Sequence, residues 1–285
     1  MWAPIRRHLD SRRAMADHYV NEAARFVERA RARLPNFPAV RILEIGCGQT
    51  CAWALVMSTL VDVVIAIDSE PGGPRRSLRH WRRSLAIHGG LATAKRMLRH
   101  ATSDRGFYRR LALSAQERFG TRLSGRADVR EMDASALALA DHSIDTIYSE
   151  AVFEHIADVA GAAREMARVL RPGGFAELVI HLYPSLSGGH HPDWQAPDTA
   201  PSRRVPPWDH LLDRRFPVAD FCNGWRESDY LAAFTPLFVV AANDALFEGE
   251  GRLDEDILRR LPGYSRQDLL KRAIRLILTP RPAGV

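Results

Sequence analysis

The sequence has little lysine and little cysteine, and both shortages limit what the protein can be. Only two of its 40 basic residues are lysine, Lys95 and Lys271, and we attribute this bias to a GC-rich genome rather than to function. The three cysteines, Cys47, Cys51 and Cys222, contain no CxxC pair and no even-numbered disulfide framework. This usage favours a reduced compartment, and we expect the protein to be cytoplasmic.

No segment is typical of a membrane span or a secretory leader. The longest apolar stretch, residues 52–67, is interrupted by Asp62 and is too short to cross a bilayer. The first residues carry several charges and lack the continuous apolar region of a signal peptide. With 285 residues, 46% hydrophobic and 26% charged, the composition predicts a globular chain that forms a single domain over 1–285.

The positive charge is concentrated in one segment. Residues 71–126 hold 14 basic and two acidic side chains, a balance of +12, whereas the rest of the chain has a balance of −6. The periodicity predicts helices near 77–100 and 105–119, with a break at Gly89-Gly90. Three interpretations stay open: solvated helix faces, attraction to an anionic small molecule or membrane surface, and an RNA-binding surface.

Short apolar strands alternate with helices on both sides of this segment. An N-terminal helical cap over 1–36, with its helix at 8–33, precedes a strand at 40–45, a helix at 51–60 and a second strand at 62–68. Further strands are predicted at 127–132, 143–149, 175–182, 237–242, 245–247 and 274–278, and further helices at 158–170, 227–235, 254–261 and 265–272. The alternation predicts a doubly wound, Rossmann-like α/β fold with a basic helical insertion at 71–126 and a loop insertion at 183–226.

A glycine pair follows the first strand directly. Gly46 and Gly48 allow the backbone to turn sharply and to approach a ligand at a helix N-terminus. Asp68 ends the second strand, 20 residues after Gly48, where a carboxylate can accept hydrogen bonds from both ribose hydroxyls of an adenosine. A nicotinamide dinucleotide, S-adenosylmethionine and a tight turn without a ligand all fit this pattern.

Two further acidic positions separate these alternatives. Glu44 lies two residues before Gly46, where a carboxylate would repel a pyrophosphate but would suit a ligand with an ammonium and a sulfonium group. Asp133 and Ala134 follow the third strand, in position to bind the adenine edge through a side chain and a backbone N–H. Together these residues favour S-adenosylmethionine.

Five motifs, in this order, resemble those of the class I S-adenosylmethionine-dependent methyltransferases, especially the small-molecule group often labelled type 11. They are LEIGCG (43–48), VIAID (64–68), MDA (132–134), SIDTIYSEAVFEHI (143–156) and VLRPGG (169–174). The resemblance covers about 40–70, 127–182 and, more loosely, 237–280. It implies a seven-stranded Rossmann-like sheet and S-adenosylmethionine as the cofactor.

The resemblance also implies roles for individual residues around the cofactor. Gly46 and Gly48 would lie under the methionine moiety, Glu44 at its amino group, Asp68 on the ribose, Asp133 and Ala134 on the adenine, and Glu150 near the end of the fourth strand. Many members continue the glycine loop with a third glycine, and Thr50 takes that place here.

The loop after the fifth strand is the expected acceptor side, because ligands of such folds bind beyond the carboxyl ends of the strands. It combines imidazole, aromatic and carboxylate side chains: His181, Tyr183, His190, His191, Asp193, Trp194, Trp208, Asp209 and His210. An oxygen acceptor needs a base, for which His181 is the first candidate and His191 and His210 are the next. A surface loop without function is an equally weighted alternative. The spacing matches no metal site, so none is predicted.

The sequence therefore predicts O-methylation of a small molecule such as a sugar, a glycolipid or a secondary metabolite. The alternative is an RNA methyltransferase that binds RNA through 71–126. A non-catalytic scaffold is the third hypothesis, and the intact Glu44, Asp68 and Asp133 speak against it. The expected partner is a small-molecule acceptor, anionic or carbohydrate in character, rather than a nucleic acid. A peripheral contact with a membrane stays open.

Overall fold

The computed structural model describes residues 3–73, 78–99, 104–123 and 126–282. Parts of the predicted basic insertion, at 74–77, 100–103 and 124–125, lie outside the described residues, as do the two ends of the chain. The chain divides into two compact units, Met1–Asp133 and Ala134–Val285. A single domain over 1–285 stays a prediction.

The first unit contains a parallel sheet flanked by helices. Its strands are β1 (Arg41–Ile45), β2 (Val63–Asp68) and β3 (Asp128–Glu131), and they lie in the order β3-β2-β1. Its helices are α1 (Ala3–Arg33), α2 (Ala52–Met57), α3 (Leu78–Arg99) and α4 (Arg105–Phe119). β1 and β2 are continuous apolar runs, buried along most of their length, as expected for parallel strands that are covered on both faces.

Aromatic contacts hold the helices of this unit together. The apolar residues of α1 recur at helical spacing, and Phe26 meets Trp53 of α2 edge to face with ring centroids 5.1 Å apart. Tyr19 of α1 meets Phe107 of α4 in the same way at 6.5 Å. All residues of α2 are buried, which explains why its sequence, AWALVM, is apolar all round.

Helices α3 and α4 are the two helices that the basic segment predicts. α3 is broken at Gly89, whose φ of 77° is left-handed, as the Gly-Gly pair indicated. Part of the positive charge is neutralised within the unit, because Arg110 and Arg118 of α4 pair with Asp17 and Glu28 of α1 at 2.7 and 3.5 Å. The segment is therefore less free to bind anions than its composition suggests.

The second unit contains a mixed sheet. Its strands are β4 (Ile144–Glu150), β5 (Leu170–His181), β6 (Phe238–Phe247) and β7 (Lys271–Pro280), in the order β4-β5-β7-β6. β4 and β5 are parallel, whereas β7 runs antiparallel to both β5 and β6. The helices are α5 (Val159–Val169), α6 (Glu227–Phe234), α7 (Glu255–Arg260) and α8 (Arg266–Leu270), with 3₁₀ turns at Phe153–His155, Pro192–Trp194 and Glu250–Arg252.

Strand β5 starts earlier than the sequence predicts. Ile144 pairs with Leu170 and Thr146 with Phe175, so the residues between Leu170 and Phe175 bulge out of the ladder. Gly173, at the centre of this bulge, has a φ of 80°. The predicted turn is thus an irregular part of the strand rather than a break before it.

Strand β6 unites the two short strands predicted at 237–242 and 245–247. It pairs with β7 along its whole length, with register shifts between Val240 and Ala242 and between Leu246 and Phe247. The polar residues in its middle are tolerated because β6 is the edge strand of the sheet order.

Three strands in one unit and four in the other make the seven-stranded mixed α/β fold of the Rossmann-like class, which confirms the predicted fold class. Within the part of the chain that the structure describes, every helix is too short or too polar to cross a membrane.

Candidate functional site

The carboxyl ends of the three parallel strands of the first unit meet at one edge of the sheet. Ile45 pairs with Ile67 across β1 and β2, and Asp68 pairs with Glu131 across β2 and β3. The glycine loop, Asp68 and Asp133 all follow these ends, as the motif order predicted. The Met132 N–H donates to the Asp68 carbonyl at 3.1 Å, which keeps the segment before Asp133 beside the end of β2.

The glycine loop has a conformation that needs glycine. Gly46 and Gly48 have φ values of 80° and 61°, in the left-handed region that costs other residues about 1–2 kcal/mol. The Gly46 N–H donates to the Ile67 carbonyl at 2.8 Å. Apart from its chain neighbours, no described atom lies within 4 Å of the position that a Cβ would take at Gly48. The space in front of this glycine is therefore open to a ligand.

Asp68 fixes the glycine loop from the end of β2. One of its carboxylate oxygens accepts the Gly48 N–H at 2.9 Å, and the other accepts the Glu70 N–H at 2.8 Å. A carboxylate offers about four lone-pair sites, so both oxygens can accept further hydrogen bonds, such as those of ribose hydroxyls. Asp68 thus orders the loop in addition to its predicted contact with the cofactor.

The other predicted cofactor residues differ in exposure. Glu44 lies on β1 opposite Ala66 and is 5% exposed, whereas Asp133 is exposed and Ala134 is half-buried. A buried carboxylate is costly, and a cation bound nearby compensates for its charge. Buried Glu44 and open space at Gly48 therefore fit a cationic nucleoside better than a pyrophosphate. Glu150, at the end of β4 in the second unit, accepts the Tyr148 hydroxyl at 2.9 Å.

Thr50, where many relatives have a third glycine, contacts the basic insertion. Its carbonyl accepts the hydroxyl of Tyr108, on α4, at 2.9 Å. Helix α4 therefore supports the glycine loop directly. No pattern in the sequence indicated this role for Tyr108.

In the second unit, the loop after β5 encloses a cavity of about 330 Å³. Five of the residues predicted on the acceptor side line it together, with Phe216 beside them: Tyr183, His191, Trp194, Asp209 and His210. Trp208 has a different place, because it is fully buried in an apolar cluster and donates through Nε1 to the Pro184 carbonyl at 3.1 Å. The loop is therefore a packed structure around a cavity rather than a flat surface segment.

The histidines of this cavity are held by the backbone. His210 Nε2 lies 2.9 Å from the Tyr183 carbonyl and donates to it, which leaves Nδ1 without a proton in the neutral ring. Burial lowers the pKa of His210 to about 4, so the ring is neutral at pH 7. His191 caps the 3₁₀ turn that follows it, since its Nδ1 accepts the Asp193 N–H at 3.1 Å.

Two residues that line the cavity each have a buried polar atom without a hydrogen-bond partner among the described residues. These atoms are Nε1 of Trp194, a donor on a residue that is 3% exposed, and Oδ1 of Asp209, an acceptor on a residue that is 4% exposed. The other oxygen of Asp209 accepts the Phe216 N–H at 2.9 Å. Buried polar atoms are nearly always paired, so this donor and this acceptor indicate a ligand with matching groups.

His181, the first candidate base, ends β5 beside a buried carboxyl group. Its Nδ1 lies 3.6 Å from Oε1 of Glu154, and Nε2 of His190 lies 3.9 Å from the same oxygen. Glu154 is 1% exposed, and neither of its oxygens has a well-formed hydrogen bond among the described residues. Burial raises the pKa of Glu154 to about 8, and the charge of Glu150 adds to the effect. Weak interactions with the backbone N–H groups of Glu154 and His181 oppose it.

Two further groups adjoin these three side chains. The rings of His155 and His190 meet edge to face at 4.8 Å, and Cys222 Sγ lies 3.9 Å from His155 Nδ1. Burial lowers the pKa of His190 to about 4, with a smaller contribution from His155. Burial likewise raises the pKa of the Cys222 thiol to about 11.

Comparison with known proteins now identifies the domain. Residues 108–178, about a quarter of the chain, match the family described as "Methyltransferase domain", and they include the last three of the five motifs. This match supports the resemblance to the class I methyltransferases that the motifs indicate. It also supports S-adenosylmethionine, the predicted cofactor.

Solved structures with a similar fold include methyltransferases of several organisms. An S-adenosylmethionine-dependent methyltransferase from Mesorhizobium loti is 20% identical, with 89% of this chain and 96% of that chain covered and a TM-score of 0.46. A chain in the complex of the Haloferax volcanii Trm112 methyltransferase activator with a methyltransferase is 15% identical, with 97% of both chains covered and a TM-score of 0.49. These likenesses are too weak to bear on the acceptor. No curated protein matches the methyltransferase at a significant level.

Sequence reasoning did not single out Glu154, which the fold buries beside two histidines. The signal was present, since Glu154 and His155 lie in the motif at 143–156 that carries the resemblance. Its partners His181 and His190 follow 27 and 36 residues later, in a strand end and a loop, and this spacing matches no known pattern. Only the folded chain brings the three together.

Proposed function

We propose that the methyltransferase methylates a hydroxyl group of a small polyhydroxylated acceptor, a sugar or a sugar-bearing metabolite, in the cavity of the loop after β5. The observation that carries this proposal is the pair of unsatisfied atoms at the cavity, Trp194 Nε1 and Asp209 Oδ1. A hydroxyl group accepts from an indole N–H and donates to a carboxylate, so neighbouring hydroxyls of one ligand satisfy both atoms. The rings of Tyr183, Trp194 and Phe216 offer apolar surface to the faces of a sugar.

The cofactor residues keep the roles that the motifs imply. We propose that Glu44 holds the amino group, Gly46 and Gly48 face the methionine moiety, Asp68 binds the ribose, and Asp133 and Ala134 bind the adenine. Glu150, at the end of β4, keeps its predicted role as a cofactor residue. When bound, S-adenosylmethionine supplies a methyl group on a sulfonium, which becomes a neutral thioether once the acceptor oxygen has taken the methyl group.

The acceptor hydroxyl must lose its proton, and we propose that this happens at His181. Aliphatic hydroxyl groups are poor nucleophiles until a base removes the proton. His181 stands at the carboxyl end of β5, beside Glu154 and near His190, which directly follows the cavity residue Gly189. His191 and His210 are the second and third candidates, and their backbone contacts suit them better to shaping the cavity.

Labelled product analysis tests the proposal. The protein is incubated with methyl-deuterated S-adenosylmethionine and, separately, with the small-molecule and the RNA fraction of a host-cell extract. We expect one labelled methyl group in a polyhydroxylated small molecule, detected by mass spectrometry. A label that enters RNA alone would overturn the proposal and favour the alternative, in which the basic helices bind RNA.

Two substitutions test the role of the cavity once a product is known. Trp194→Phe keeps the ring but removes the unsatisfied N–H, and Trp225→Phe makes the same change outside the residues that line the cavity. We expect Trp194→Phe to raise KM for the acceptor about 5- to 100-fold, because each lost hydrogen bond to a buried group costs about 1–3 kcal/mol. Trp225→Phe should leave KM near the wild-type value, and equal effects of the two changes would contradict the cavity as the acceptor site.

A further inference from the structure

We propose that Glu154, His181 and His190 form a binding site for a divalent transition-metal ion. The three residues come from separate elements: the 3₁₀ turn after β4, the end of β5 and the loop that follows. One ligand atom from each lies within 4.8 Å of the others. Sequence spacing predicted no metal, and the geometry of the folded chain is what suggests one.

The distances suit a metal of ordinary size. Glu154 Oε1 lies 3.6 Å from His181 Nδ1 and 3.9 Å from His190 Nε2. Ligands about 2.0–2.1 Å from a tetrahedral ion lie about 3.4 Å from each other. These contacts are too long for hydrogen bonds, so the three groups do not satisfy one another directly. The three ligand atoms lie within 4.8 Å of one another, so side-chain shifts of about an ångström or less would place them around one ion.

The burial of Glu154 is an independent indication of a ligand. Its carboxyl group is 1% exposed, and both oxygens lack a well-formed hydrogen bond among the described residues. Burying a carboxyl group without partners is costly, and a bound cation would offset much of that cost. Among the described residues, the basic side chains within 4 Å of the Glu154 carboxylate are the imidazoles of His181 and His190 rather than an arginine or a lysine.

The backbone of His190 adds a third indication. Its φ of 55° is in the left-handed region, which non-glycine residues adopt at a cost of about 1–2 kcal/mol. Residues held in such conformations cluster at ligand sites, where the surrounding structure imposes them. Here the conformation accompanies an imidazole whose Nε2 faces the buried Glu154.

The ligand set selects the class of metal. Two imidazoles and one carboxylate suit Zn²⁺, Fe²⁺, Co²⁺ or Mn²⁺ better than Ca²⁺ or Mg²⁺, which prefer ligand sets made of oxygen. Three protein ligands leave at least one coordination position open, as in catalytic metal sites. His155 and Cys222 form a second group around the shared His190, so the thiol is a candidate for a further ligand.

The role of the ion rests on the proposed function, whereas its binding does not. An acceptor hydroxyl that coordinates the ion has a lower pKa, so its proton leaves to water while the electron pair stays on the oxygen. His181 then acts through the ion as a ligand rather than as a direct base. Gly189 lines the cavity and directly precedes His190, so the ion would stand beside the proposed acceptor.

Cobalt titration tests the site without any acceptor. The full-length protein is stripped with a chelator and titrated with Co²⁺, and binding is followed by visible absorption and by calorimetry. We expect one tight ion per chain. Glu154→Gln and His190→Asn should each weaken binding by about 100-fold or more, because loss of even an outer-shell partner costs about 10- to 100-fold.

His142→Asn is the matched control. His142 is exposed, has a left-handed φ of 51° like His190, and lies outside the cluster, so the same substitution is made in the same backbone conformation. Asparagine is tolerated there, and we expect this variant to bind Co²⁺ as tightly as the wild type. Thermal unfolding checks that each variant is folded, and His190→Asn alone decides if Glu154→Gln does not fold.

Two results would overturn the proposal: no stoichiometric Co²⁺ binding by the wild type, or binding that Glu154→Gln and His190→Asn leave unchanged. A sulfur-to-cobalt absorption band that Cys222→Ser removes would support the site and add the thiol to it. Methyl transfer is measured separately. Tight Co²⁺ binding without methyl transfer to any small molecule would support the metal site and overturn the proposed function. If the wild type bound no Co²⁺ but still transferred the methyl group in the presence of a chelator, the metal site would be overturned and the proposed function would stand.

Discussion

The two candidate sites of this methyltransferase are built from different parts of the chain. The glycine loop of the first unit offers backbone groups to the proposed cofactor, and Asp68 holds the loop by accepting the Gly48 N–H. The acceptor side of the second unit consists of side chains, such as those of Glu154 and His181, that come from separate elements.

This difference decides what each site requires of the sequence. A backbone site needs glycines at a fixed spacing after a strand, so a short motif describes it. A side-chain site needs only suitable groups that meet in space, and many spacings achieve this. The following substitutions compare the two sites, and the largest expected effect comes first.

Removal of His181 should have the largest effect on turnover. We expect His181→Ala to lower kcat about 10²- to 10⁴-fold, because it removes the imidazole proposed to promote loss of the hydroxyl proton, either as the base or as a ligand of the proposed ion. Binding of S-adenosylmethionine, measured by calorimetry, should stay close to that of the wild type. His191→Ala is the control from the same loop, with a smaller expected loss of kcat. A His181→Ala variant with near-normal kcat would contradict this role.

Burial of His210 should make the stability of the protein depend on pH. Burial lowers the pKa of His210 from its ordinary value near 6.5 to about 4, while the hydrogen bond to the Tyr183 carbonyl and the charge of Asp209 raise it by less. Above pH 6.5 the ring is neutral in both states. As the pH falls from 6.5 to 4, the unfolded chain binds a proton that the folded chain does not, so up to about 3 kcal/mol of stability is lost.

Urea unfolding at pH 7 and pH 4.5 measures this effect. We expect the free energy of unfolding of His210→Gln to fall less between the two pH values than that of the wild type. His142→Asn, a change at an exposed histidine, should keep the wild-type pH dependence. Identical pH dependence in His210→Gln and the wild type would show that burial does not shift this histidine.

Loss of Asp68 should weaken the cofactor site without abolishing it. Asp68→Ala removes the acceptor of the Gly48 and Glu70 N–H groups and the proposed partner of the ribose. We expect affinity for S-adenosylmethionine to fall by about 1–3 kcal/mol, the usual cost of leaving such groups unpaired. Calorimetry measures it, with Asp62→Ala, a change at an exposed acid before β2, as the control. Unchanged affinity in Asp68→Ala would remove Asp68 from the site.

The substitution Gly48→Ala should have the smallest effect, a loss of stability that comes only from the backbone conformation. Gly48→Ala keeps open space around its Cβ but forces alanine into a φ of 61°, so stability should fall by about 1 kcal/mol. Gly106→Ala is the matched control, because Gly106 lies in α4 with equally open space and alanine favours helices. We expect that variant to be as stable as the wild type or more stable, as measured by urea unfolding. Equal effects at the two glycines would contradict a backbone role for Gly48.

The local sequence pattern predicted most of the helices and strands, because helices and strands differ in the periodicity of their apolar residues. The helices expected near 77–100 and 105–119 are α3 (Leu78–Arg99) and α4 (Arg105–Phe119), since helical spacing and Gly89 marked their limits. β6 was predicted as two strands, because the polar residues in its middle are those of an edge strand. Whether polar residues are tolerated within a strand depends on where the strand lies in the sheet, and only the tertiary structure sets that position.

The sequence by itself determined the fold class, the cofactor and the glycine loop, because these depend on contacts within a few residues of each motif. Tertiary structure alone decided three other features. It placed Tyr108 of the basic insertion against Thr50, arranged Trp194 and Asp209 around one cavity, and brought Glu154 beside His181. Side chains far apart in sequence can meet in many ways, and only the packing of the whole chain selects one of them.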